Sequence, residues 1–243
     1  MPRLDQLLVD QGHYLSREKA RRAVMAGVVW VEGRLVDKPG TKVSDGVDLE
    51  LRDTREPYVS RGGRKIASAL DHFDLDPKGL ICLDVGASTG GFTDCLLQRG
   101  AARVVALDVG RGQLDYGLRQ DPRVEVMEGV NARYLTSQDL GEHFDLVVAD
   151  LSFISLVKVV PALIPFLERG GLLLVLVKPQ FEVGKGQVGK GGIVRDDQVR
   201  RSVVAERCHD LASLGLEFVG IVDSEVSGAK GNQETFALFR RGQ

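Results

Sequence analysis

From residue 80 onward, short apolar runs alternate with amphipathic stretches of helical periodicity. Each of four such runs precedes a helix-like segment: LICLDVG, RVVALDV, FDLVVAD and LLLVLV. Repeated strand–helix units predict a parallel sheet with helices on both faces. The last two strand candidates, EFVGIVDSEV and QETFALFRR, are separated only by a short polar turn. Because so short a connection requires antiparallel neighbours, we predict an α/β fold with a mostly parallel sheet and an antiparallel last strand.

The first 52 residues contain shorter helix-like and strand-like pieces. RLDQLLVDQG predicts a first helix, and Ser16 can cap a second helix that ends at Gly27. The stretch VVWVEGRLVDKPG alternates around Glu32-Gly33, as a β-hairpin does. These pieces predict a small α+β unit that precedes the sheet.

The chain length and the change to alternating strand-like and helix-like stretches from residue 80 indicate two domains. A chain of 243 residues can hold a medium-sized domain beside a small one. The segment 53–63, DTREPYVSRGG, is polar and rich in turn-forming residues, which is typical of a linker. We predict a small domain at residues 1–52, a linker at 53–60 and the sheet domain at 61–243.

Composition and charge argue against several classes of protein. The longest strictly apolar run has six residues, whereas a membrane-spanning helix needs about 20. The start, MPRLDQLLVDQGHY, has acidic residues within its apolar stretch, so we predict no signal peptide and a cytoplasmic protein. The three cysteines lie far apart without a CxxC pair, which suggests neither a disulfide framework nor a zinc site. The net charge of −2 means that any affinity for nucleic acid must be local.

The segment LDVGASTGGFTD, residues 83–94, follows the first strand of the sheet and opens a helix. Its glycines allow a sharp turn and a close approach to a ligand. The second glycine of a GxGxxG pattern is missing, so a cofactor without a pyrophosphate fits better than a dinucleotide. The alternative is a tight turn that binds no ligand. The candidate cofactor-binding residues of this turn are Asp84, Gly86, Ala87, Ser88, Thr89, Gly90, Gly91 and Phe92.

Further candidates for cofactor binding follow the next two strands. Asp108 ends the second strand, where an acidic side chain can accept hydrogen bonds from two ribose hydroxyls, and Val109 comes next. After the third strand, Asn131 or the backbone around Gly129 can meet an adenine edge, or this segment can be a plain turn. Ligands of open α/β sheets lie at the carboxyl ends of the strands, where these residues fall. This Rossmann-like layout is shared by the S-adenosylmethionine-dependent methyltransferases, an analogy at the level of the fold.

Four ionisable residues are predicted to converge at the same edge of the sheet. Asp150 and Lys178 end the fourth and fifth strands, and Pro179 stops the fifth. Glu234 begins the last strand, and an antiparallel strand begins where its parallel neighbours end. Lys65 falls off the apolar face of the helix RGGRKIASALDHF.

Each of the four also has a purely structural interpretation. Lys178 can be a strand-end lysine whose charged head reaches solvent, and Asp150 can cap the next helix. Lys65 and Glu234 can be solvated charges, and taken singly they favour that interpretation. The four together are a more specific signal, which favours a catalytic site.

Taken together, the motifs resemble the TlyA group of ribosomal RNA 2′-O-methyltransferases, also known as hemolysin A, whose catalytic part is similar to the FtsJ-type methyltransferases. The matching stretches span nearly all of residues 58–239: YVSRGGRKIASAL, LDVGASTGGFTDCLL, VVALDVGRGQLD, FDLVVADLSFISL, LLLVLVKPQFE, GKGGIVRD and GNQETFALF. Residues 3–52 resemble the small RNA-binding domain named after ribosomal protein S-four, through RLDQLLV, SREKARRAVMAGVV and VEG. The resemblance implies S-adenosyl-L-methionine as cofactor, ribosomal RNA or ribosomal subunits as partner, and cytidine as the modified nucleotide. It also implies a Lys-Asp-Lys-Glu catalytic tetrad, which falls here on Lys65, Asp150, Lys178 and Glu234.

Ribose methylation suggests a role for each member of this tetrad. A ribose hydroxyl is a poor nucleophile, so its proton must leave as its oxygen attacks, and a positioned general base assists. Our hypothesis makes Lys178 either that base or the group that orients the hydroxyl, with Lys65 helping to hold it. Asp150 and Glu234 would position the two lysines, and the sulfonium of the methyl donor would lie near Asp150. Pro179 restricts the backbone of the lysine before it.

A local basic patch is the candidate RNA contact. REKARR, residues 17–22, places four cations and one anion on a short helix, and phosphate binding needs such a stripe. The alternative is a solvated helix face. The N-terminal domain has about as many acids as bases, so we expect it to position RNA and not to bind it tightly alone. The RNA-binding candidates are Arg3, Arg17, Lys19, Arg21, Arg22, Arg61 and Arg64, and Arg34 can extend the patch.

The loop 181–196, FEVGKGQVGKGGIVRD, has five glycines and two lysines. It can be a lid that orders over cofactor or RNA, or an ordinary solvated loop.

Three other functions compete with RNA methylation. A membrane-lytic protein would need a spanning helix, a barrel pattern or a signal sequence. A non-catalytic RNA-binding protein would not need the four ionisable residues together. A methyltransferase of small molecules or proteins would leave the N-terminal domain unexplained.

Overall fold

The computed structural model describes residues 1–51, 57–136, 138–184, 189 and 191–242. The chain divides into two compact units, Met1–Glu56 and Pro57–Gln243. Residues 53–56 of the predicted linker lie outside the described residues. No helix within the described ranges is long and apolar enough to cross a membrane.

The first unit consists of two helices and a three-stranded antiparallel sheet of order β2-β1-β3. Its elements are α1 (Leu4–Asp10), α2 (Arg17–Met25), β1 (Val29–Val31), β2 (Arg34–Leu35) and β3 (Leu49–Leu51). The Ser16 side chain accepts a hydrogen bond from the backbone N–H of Lys19, so the predicted cap of α2 is confirmed. Glu32 and Gly33 have φ of 49° and 71°, the left-handed pair that a two-residue hairpin needs. The predicted hairpin between β1 and β2 is therefore also confirmed.

The second unit is built on a seven-stranded sheet of order β6-β5-β4-β7-β8-β10-β9. Its strands are β4 (Ile81–Val85), β5 (Arg103–Asp108), β6 (Val124–Glu128), β7 (Phe144–Ala149), β8 (Leu167–Val177), β9 (Leu216–Asp223) and β10 (Thr235–Arg241). Neighbouring strands from β6 to β8 pair in parallel, and β10 is antiparallel to both of its neighbours. The predicted fold class is confirmed. The last strand inserts between β8 and β9, a placement that the sequence did not indicate.

Helices cover both faces of this sheet. They are α3 (Arg61–His72), α4 (Gly91–Gln98), α5 (Tyr116–Gln120), α6 (Val160–Leu163), α7 (Pro179–Glu182) and α8 (Asp197–Ala212). Successive residues of a strand point to opposite faces. On β4, Cys82 accordingly joins the core formed with α3 and α4, whereas Leu83 and Val85 join the core formed with α6 and α8.

One predicted helix is largely absent from the described structure. The stretch SLVKVVPALIPFLERG forms the four-residue helix α6 between two 3₁₀ turns, Leu156–Lys158 and Ile164–Phe166, and β8 begins already at Leu167. Pro165 lacks a backbone N–H and cannot continue an α-helix, which explains why α6 stops.

The register of β10 against β8 places two of the predicted catalytic residues side by side. Thr235 pairs with Val177, so Glu234 and Lys178 lie one residue beyond the pair at the same edge. The carboxyl ends of β4, β5 and β7 reach this edge as well, because these strands run parallel to β8.

Candidate active site

The four predicted catalytic residues form two ion pairs at the carboxyl edge of the sheet. Lys65 Nζ donates to Glu234 Oε2 at 2.6 Å, and the two side chains are 12% and 2% exposed. Lys178 Nζ pairs with Asp150 Oδ1, and those side chains are 10% and 22% exposed. Each lysine thus lies beside one carboxylate in a site that is largely withdrawn from solvent.

Helix α3 orients Lys65 through its apolar face. Ile66, Ala69 and Leu70 are fully buried against the sheet. Lys65 precedes this stripe by one position, so its side chain leaves the core and reaches Glu234. The apolar face of α3 therefore determines where the ammonium group lies.

Two further polar contacts support the ion pairs, and the sequence analysis did not single out the residues that make them. Lys178 Nζ donates to Ser152 Oγ at 3.0 Å. Gln180 Nε2 donates to Glu234 Oε1 at 3.2 Å, so both oxygens of that carboxylate have a donor. The signal that could have found them is proximity in sequence, since each lies two residues after a predicted catalytic residue.

The glycine turn brings the backbone of β4 against the end of β7. Gly86 has φ of +86°, and a Cβ on it would lie 2.5 Å from the carbonyl oxygen of Asp150. No residue with a side chain fits this turn without displacing the backbone of Asp150. Ser88, with φ of 49°, donates its backbone N–H to Asp108 Oδ2 at 2.8 Å. The turn therefore connects the ends of three neighbouring strands.

Asp84 lies beneath the glycine turn and is completely buried. Its Oδ2 accepts hydrogen bonds from the backbone N–H and the hydroxyl of Thr93, at 2.9 and 2.7 Å. Burial raises the pKa of Asp84 to about 7, against the lowering effect of the Thr93 hydrogen bonds. Asp84 thus fastens the start of α4 to β4.

A cavity of about 480 Å³ opens between the glycine turn and the ends of β5, β6 and β7. Apolar residues such as Val109 and Val130 form much of its wall. Its polar lining comes from Ser88, Asp108, Gln113, Asn131, Asp150 and Ser152. This volume and this mixture of apolar walls with a few polar groups are typical of a cofactor site.

A second cavity of about 220 Å³ lies on the other side of the glycine turn. Lys65, Arg61 and Gly228 line it together with the turn itself. Gly86, Ser88 and Asp150 belong to both linings. Asp150 therefore lies where a group bound in one cavity would meet a group bound in the other.

Ten of the twelve predicted cofactor residues line one or both of these cavities. Gly86, Ser88, Asp108, Val109, Asn131 and Asp150 line the larger cavity. Ala87, Thr89, Gly91 and Phe92 line the smaller one. Asp84 and Gly90 line neither of these two cavities.

Gly90 and Asn131 also have structural roles. A Cβ on Gly90 would lie 2.3 Å from Leu118, so this glycine allows α5 to pack against α4. Asn131 Oδ1 accepts from the Arg133 N–H at 3.1 Å and caps the 3₁₀ turn Ala132–Tyr134.

The predicted RNA-binding residues of the first unit lie on its surface. Arg3 and Arg17 both donate to the buried carboxylate of Asp5, at 3.0 and 3.1 Å. Hydrogen bonds from Arg3 lower the pKa of Asp5, which keeps the carboxylate charged. Arg22 pairs with Glu18, and Lys19 and Arg21 are exposed. In the second unit, Arg61 lines the smaller cavity, and Arg64 lies on the exposed side of α3.

The C-terminal end of the glycine-rich loop is tied to the segment before Glu234. Asn232 Oδ1 accepts from the Val194 N–H at 3.1 Å, and Asn232 Nδ2 donates to the Gly192 carbonyl at 2.9 Å. Residues 185–188 and 190, which include both lysines of the predicted lid, lie outside the described residues.

Comparison with known proteins identifies the family of each part of the chain. The family model described as FtsJ-like methyltransferase matches residues 58–241, and the one described as S4 domain matches residues 2–49. The chain is 49% identical to the 16S/23S rRNA (cytidine-2′-O)-methyltransferase TlyA of Mycobacterium tuberculosis, over 98% of this chain and 89% of that protein. It is 40% identical to Hemolysin A of Brachyspira hyodysenteriae, over 98% and 99% of the two chains.

Solved structures of other proteins share the fold. A protein of Streptococcus thermophilus that carries the name hemolysin superimposes with a TM-score of 0.77 at 43% identity, covering 99% of this chain and 88% of that one. The N-methyltransferase NodS of Bradyrhizobium japonicum, solved with S-adenosyl-L-homocysteine, reaches a TM-score of 0.53 at 17% identity, over 76% and 89% of the two chains. The likeness to NodS concerns the fold alone.

The mostly parallel sheet with its inserted antiparallel strand, and the glycine turn at its edge, define an S-adenosylmethionine-dependent methyltransferase. The fold, the class of enzyme and the cofactor expected from the sequence are confirmed. The chain belongs to the FtsJ-like methyltransferase family, and within that family to the TlyA group.

Proposed function

We propose that the protein methylates the ribose 2′-hydroxyl of a cytidine in ribosomal RNA, through Lys65, Asp150, Lys178 and Glu234. The observation that carries the proposal is the pairing of both lysines with carboxylates at the strand ends, beside the two cavities that share Asp150. Relatives named as rRNA (cytidine-2′-O)-methyltransferases support the choice of substrate.

The residues around the larger cavity fit the cofactor. Asp108 would accept hydrogen bonds from the ribose hydroxyls, and Asn131 would lie near the adenine edge. Gly86 leaves the space beside Asp150 that a side chain would fill. When bound, S-adenosylmethionine supplies an electrophilic methyl group on a positively charged sulfur.

We assign to Lys178 the interaction with the substrate hydroxyl and its proton. Asp150 and Ser152 hold its ammonium, and the Lys178 side chain is only 10% exposed. In this arrangement Lys178 can donate to the hydroxyl oxygen and hold it in place, or accept its proton once the lysine is neutral. Asp150 positions the ammonium and adds a negative charge at the junction of the two cavities.

Lys65 and Glu234 would hold the substrate ribose from the other side. Lys65 lines the smaller cavity, which has room for part of a nucleotide. Glu234 keeps this lysine in place and is itself held by Gln180. A hydroxyl held between positioned groups loses little freedom on the way to reaction, which is a large part of catalysis.

The first unit would bring ribosomal RNA or a ribosomal subunit to the enzyme. Its exposed Lys19 and Arg21 are suited to phosphate contacts. The guanidinium groups of Arg3 and Arg17 share one carboxylate, and their side chains are about half exposed and accessible to a ligand. We retain residues 1–52, 53–60 and 61–243 as the proposed RNA-binding domain, linker and catalytic domain, and a cytoplasmic location follows from the proposed substrate.

The decisive experiment maps 2′-O-methylated nucleotides by mass spectrometry. Ribosomal subunits are incubated with enzyme and S-adenosylmethionine, and the wild type is compared with Lys178→Ala and the exposed control Lys78→Ala. We expect a methylated cytidine with wild type and control, and a loss of at least about 100-fold in rate with Lys178→Ala at unchanged cofactor affinity. Wild-type turnover by Lys178→Ala would refute the assignment.

A third variant separates the two roles of Lys178. Arginine stays protonated at any working pH and so cannot act as a base. Measurable methyl transfer by Lys178→Arg would therefore favour an orienting role, and complete inactivity with cofactor binding intact would favour a base.

A further inference from the structure

Several side chains of the segment Lys178–Glu182 contact the candidate active site, each at a different place. Lys178 contacts Asp150 and Ser152, and Gln180 contacts Glu234. The ring of Phe181 lies 4.9 Å from that of Phe153, measured between centroids. Glu182, the last residue of α7, has no role in the function proposed so far.

Glu182 joins the two segments that leave β7 and β8. Its side chain is 2% exposed. One oxygen accepts from Ser155 Oγ at 2.5 Å, and the other accepts from the Leu156 N–H at 2.8 Å. These donors lie five and six residues after Asp150. Glu182 thus caps the 3₁₀ turn Leu156–Lys158, a task that the Ser155 side chain does not perform.

The cation beside Glu182 comes from α8 and is shared with two other carboxylates. Arg207, whose side chain is 11% exposed, lies 3.8 Å from Glu182 and 2.9 Å from Asp210, and it also pairs with Glu206. Burial raises the pKa of Glu182, so placing a carboxyl here costs free energy. A buried carboxyl is weak evidence for stability, because apolar residues of similar volume often stabilise as well. Its position between two catalytic segments offers another reason for its presence.

We propose that Glu182 is a positioning residue that fixes the segment 151–156 relative to Lys178. The inference rests on the proposed function, because it assumes that Lys178 and Asp150 act on the substrate. With Glu182 in place, Ser152 is held where its hydroxyl accepts from Lys178. Without it, the backbone N–H of Leu156 loses its acceptor, and the segment that carries Ser152 and Phe153 is free to shift.

This role predicts a specific kinetic signature. Residues 151–154 are only part of the lining of the larger cavity, which Gly86, Ser88 and Asp108 also line, and the hydrogen bonds of Glu182 go to Ser155 and Leu156. We therefore expect loss of Glu182 to lower kcat at saturating cofactor more than it weakens cofactor binding. A displacement of about 1 Å at reacting groups costs up to about 100-fold in rate.

The test compares Glu182→Ala, Glu182→Gln and Ser155→Ala in the full-length enzyme. The control is Leu211→Ala, which removes a fully buried side chain from α8 and leaves both hydrogen bonds of Glu182 in place. The readouts are kcat for methyl transfer to ribosomal subunits, the Kd for S-adenosylmethionine by calorimetry and the melting temperature. All rates are taken well below the melting temperature and per folded enzyme.

We expect kcat to fall about 10- to 100-fold in Glu182→Ala and about 3- to 10-fold in Ser155→Ala. Glutamine keeps an acceptor for Leu156 and a polar group for Ser155, so Glu182→Gln should stay within about threefold of wild type. Leu211→Ala should lower the melting temperature and leave kcat unchanged.

Two outcomes would overturn the inference. One is a folded Glu182→Ala with the kcat of Leu211→Ala. The other is a wild-type kcat in Ser155→Ala. This second outcome decides the question if Glu182→Ala does not fold. Full activity of Lys178→Ala in the same assay would instead overturn the proposed function. An inactive Lys178→Ala beside a fully active Glu182→Ala would overturn only the role of Glu182.

Discussion

Replacing Gly228 with alanine would press a methyl group against the carboxylate of Glu234. A Cβ on Gly228 would lie 2.1 Å from Glu234 Oε1 and 2.3 Å from its carboxyl carbon. Since ordinary contacts are about 3.5 Å, the carboxylate has to retreat by at least about 1 Å. Glu234 is almost fully buried and bonded to Lys65 and Gln180, so this retreat breaks or lengthens both hydrogen bonds.

The displacement of Glu234 is expected to lower the rate of catalysis. A misplacement of about 1 Å at a catalytic group costs up to about 100-fold in rate, which equals about 2.7 kcal/mol of transition-state stabilisation. Gly228 is not among the residues with positive φ, so alanine adds little backbone strain there. We therefore expect Gly228→Ala to lower kcat by about 10- to 100-fold, and the disturbed buried ion pair to lower the melting temperature as well, so kcat is measured well below that temperature.

The assay is transfer of a radiolabelled methyl group from S-adenosylmethionine to ribosomal subunits, at saturating concentrations of both. The matched control is Gly141→Ala, because a Cβ on Gly141 would meet nothing within 4 Å and its φ is not positive. A kcat for Gly228→Ala within twofold of the control would refute the reasoning, since it would mean that the position of Glu234 does not matter for the reaction.

Two other predictions concern stability and membranes. The pKa of Asp84 is about 7 in the folded protein against an ordinary 3.8, so between these values the folded state binds one proton more than the unfolded chain and stability falls as pH rises. This difference in pKa corresponds to about 4 kcal/mol of unfolding free energy at most. In urea unfolding of the cofactor-free protein, wild type should therefore lose up to that amount of stability relative to Asp84→Asn between pH 4 and pH 8. Parallel pH curves for the two proteins would contradict the burial argument. Purified protein should release no dye from liposomes, because its apolar strands are buried in two cores. Dye leakage that rises with protein concentration would support the membrane-lytic alternative.

Local features of the sequence were reliable where a few neighbouring residues determine the backbone. Ser16 accepts the hydrogen bond from Lys19 because a serine at this position satisfies an otherwise free helix N–H. Glu32-Gly33 forms the hairpin turn because glycine adopts positive φ at little cost. The helix predicted over residues 155–170 was wrong for an equally local reason, since Pro165 interrupts it.

The site was predictable in part, because a parallel sheet brings the carboxyl ends of its strands to one edge. Asp108, Asp150 and Lys178 could be placed there from the strand pattern alone. The insertion of β10 between β8 and β9 could not, because strand order in a sheet depends on packing between distant segments.

The sequence by itself determined which chemical groups reach the sheet edge: a glycine turn, carboxylates and a lysine at strand ends, and a second lysine off the apolar face of α3. Only the tertiary structure decided which groups pair with which. Lys65 and Glu234 are 169 positions apart, and their contact exists because β10 lies beside β8 in one particular register. The contacts of Gln180 and Glu182, and the close approach of Gly228 to Glu234, depend on packing between distant loops. No periodicity or motif spacing encodes such contacts, because they arise only when the whole sheet has assembled.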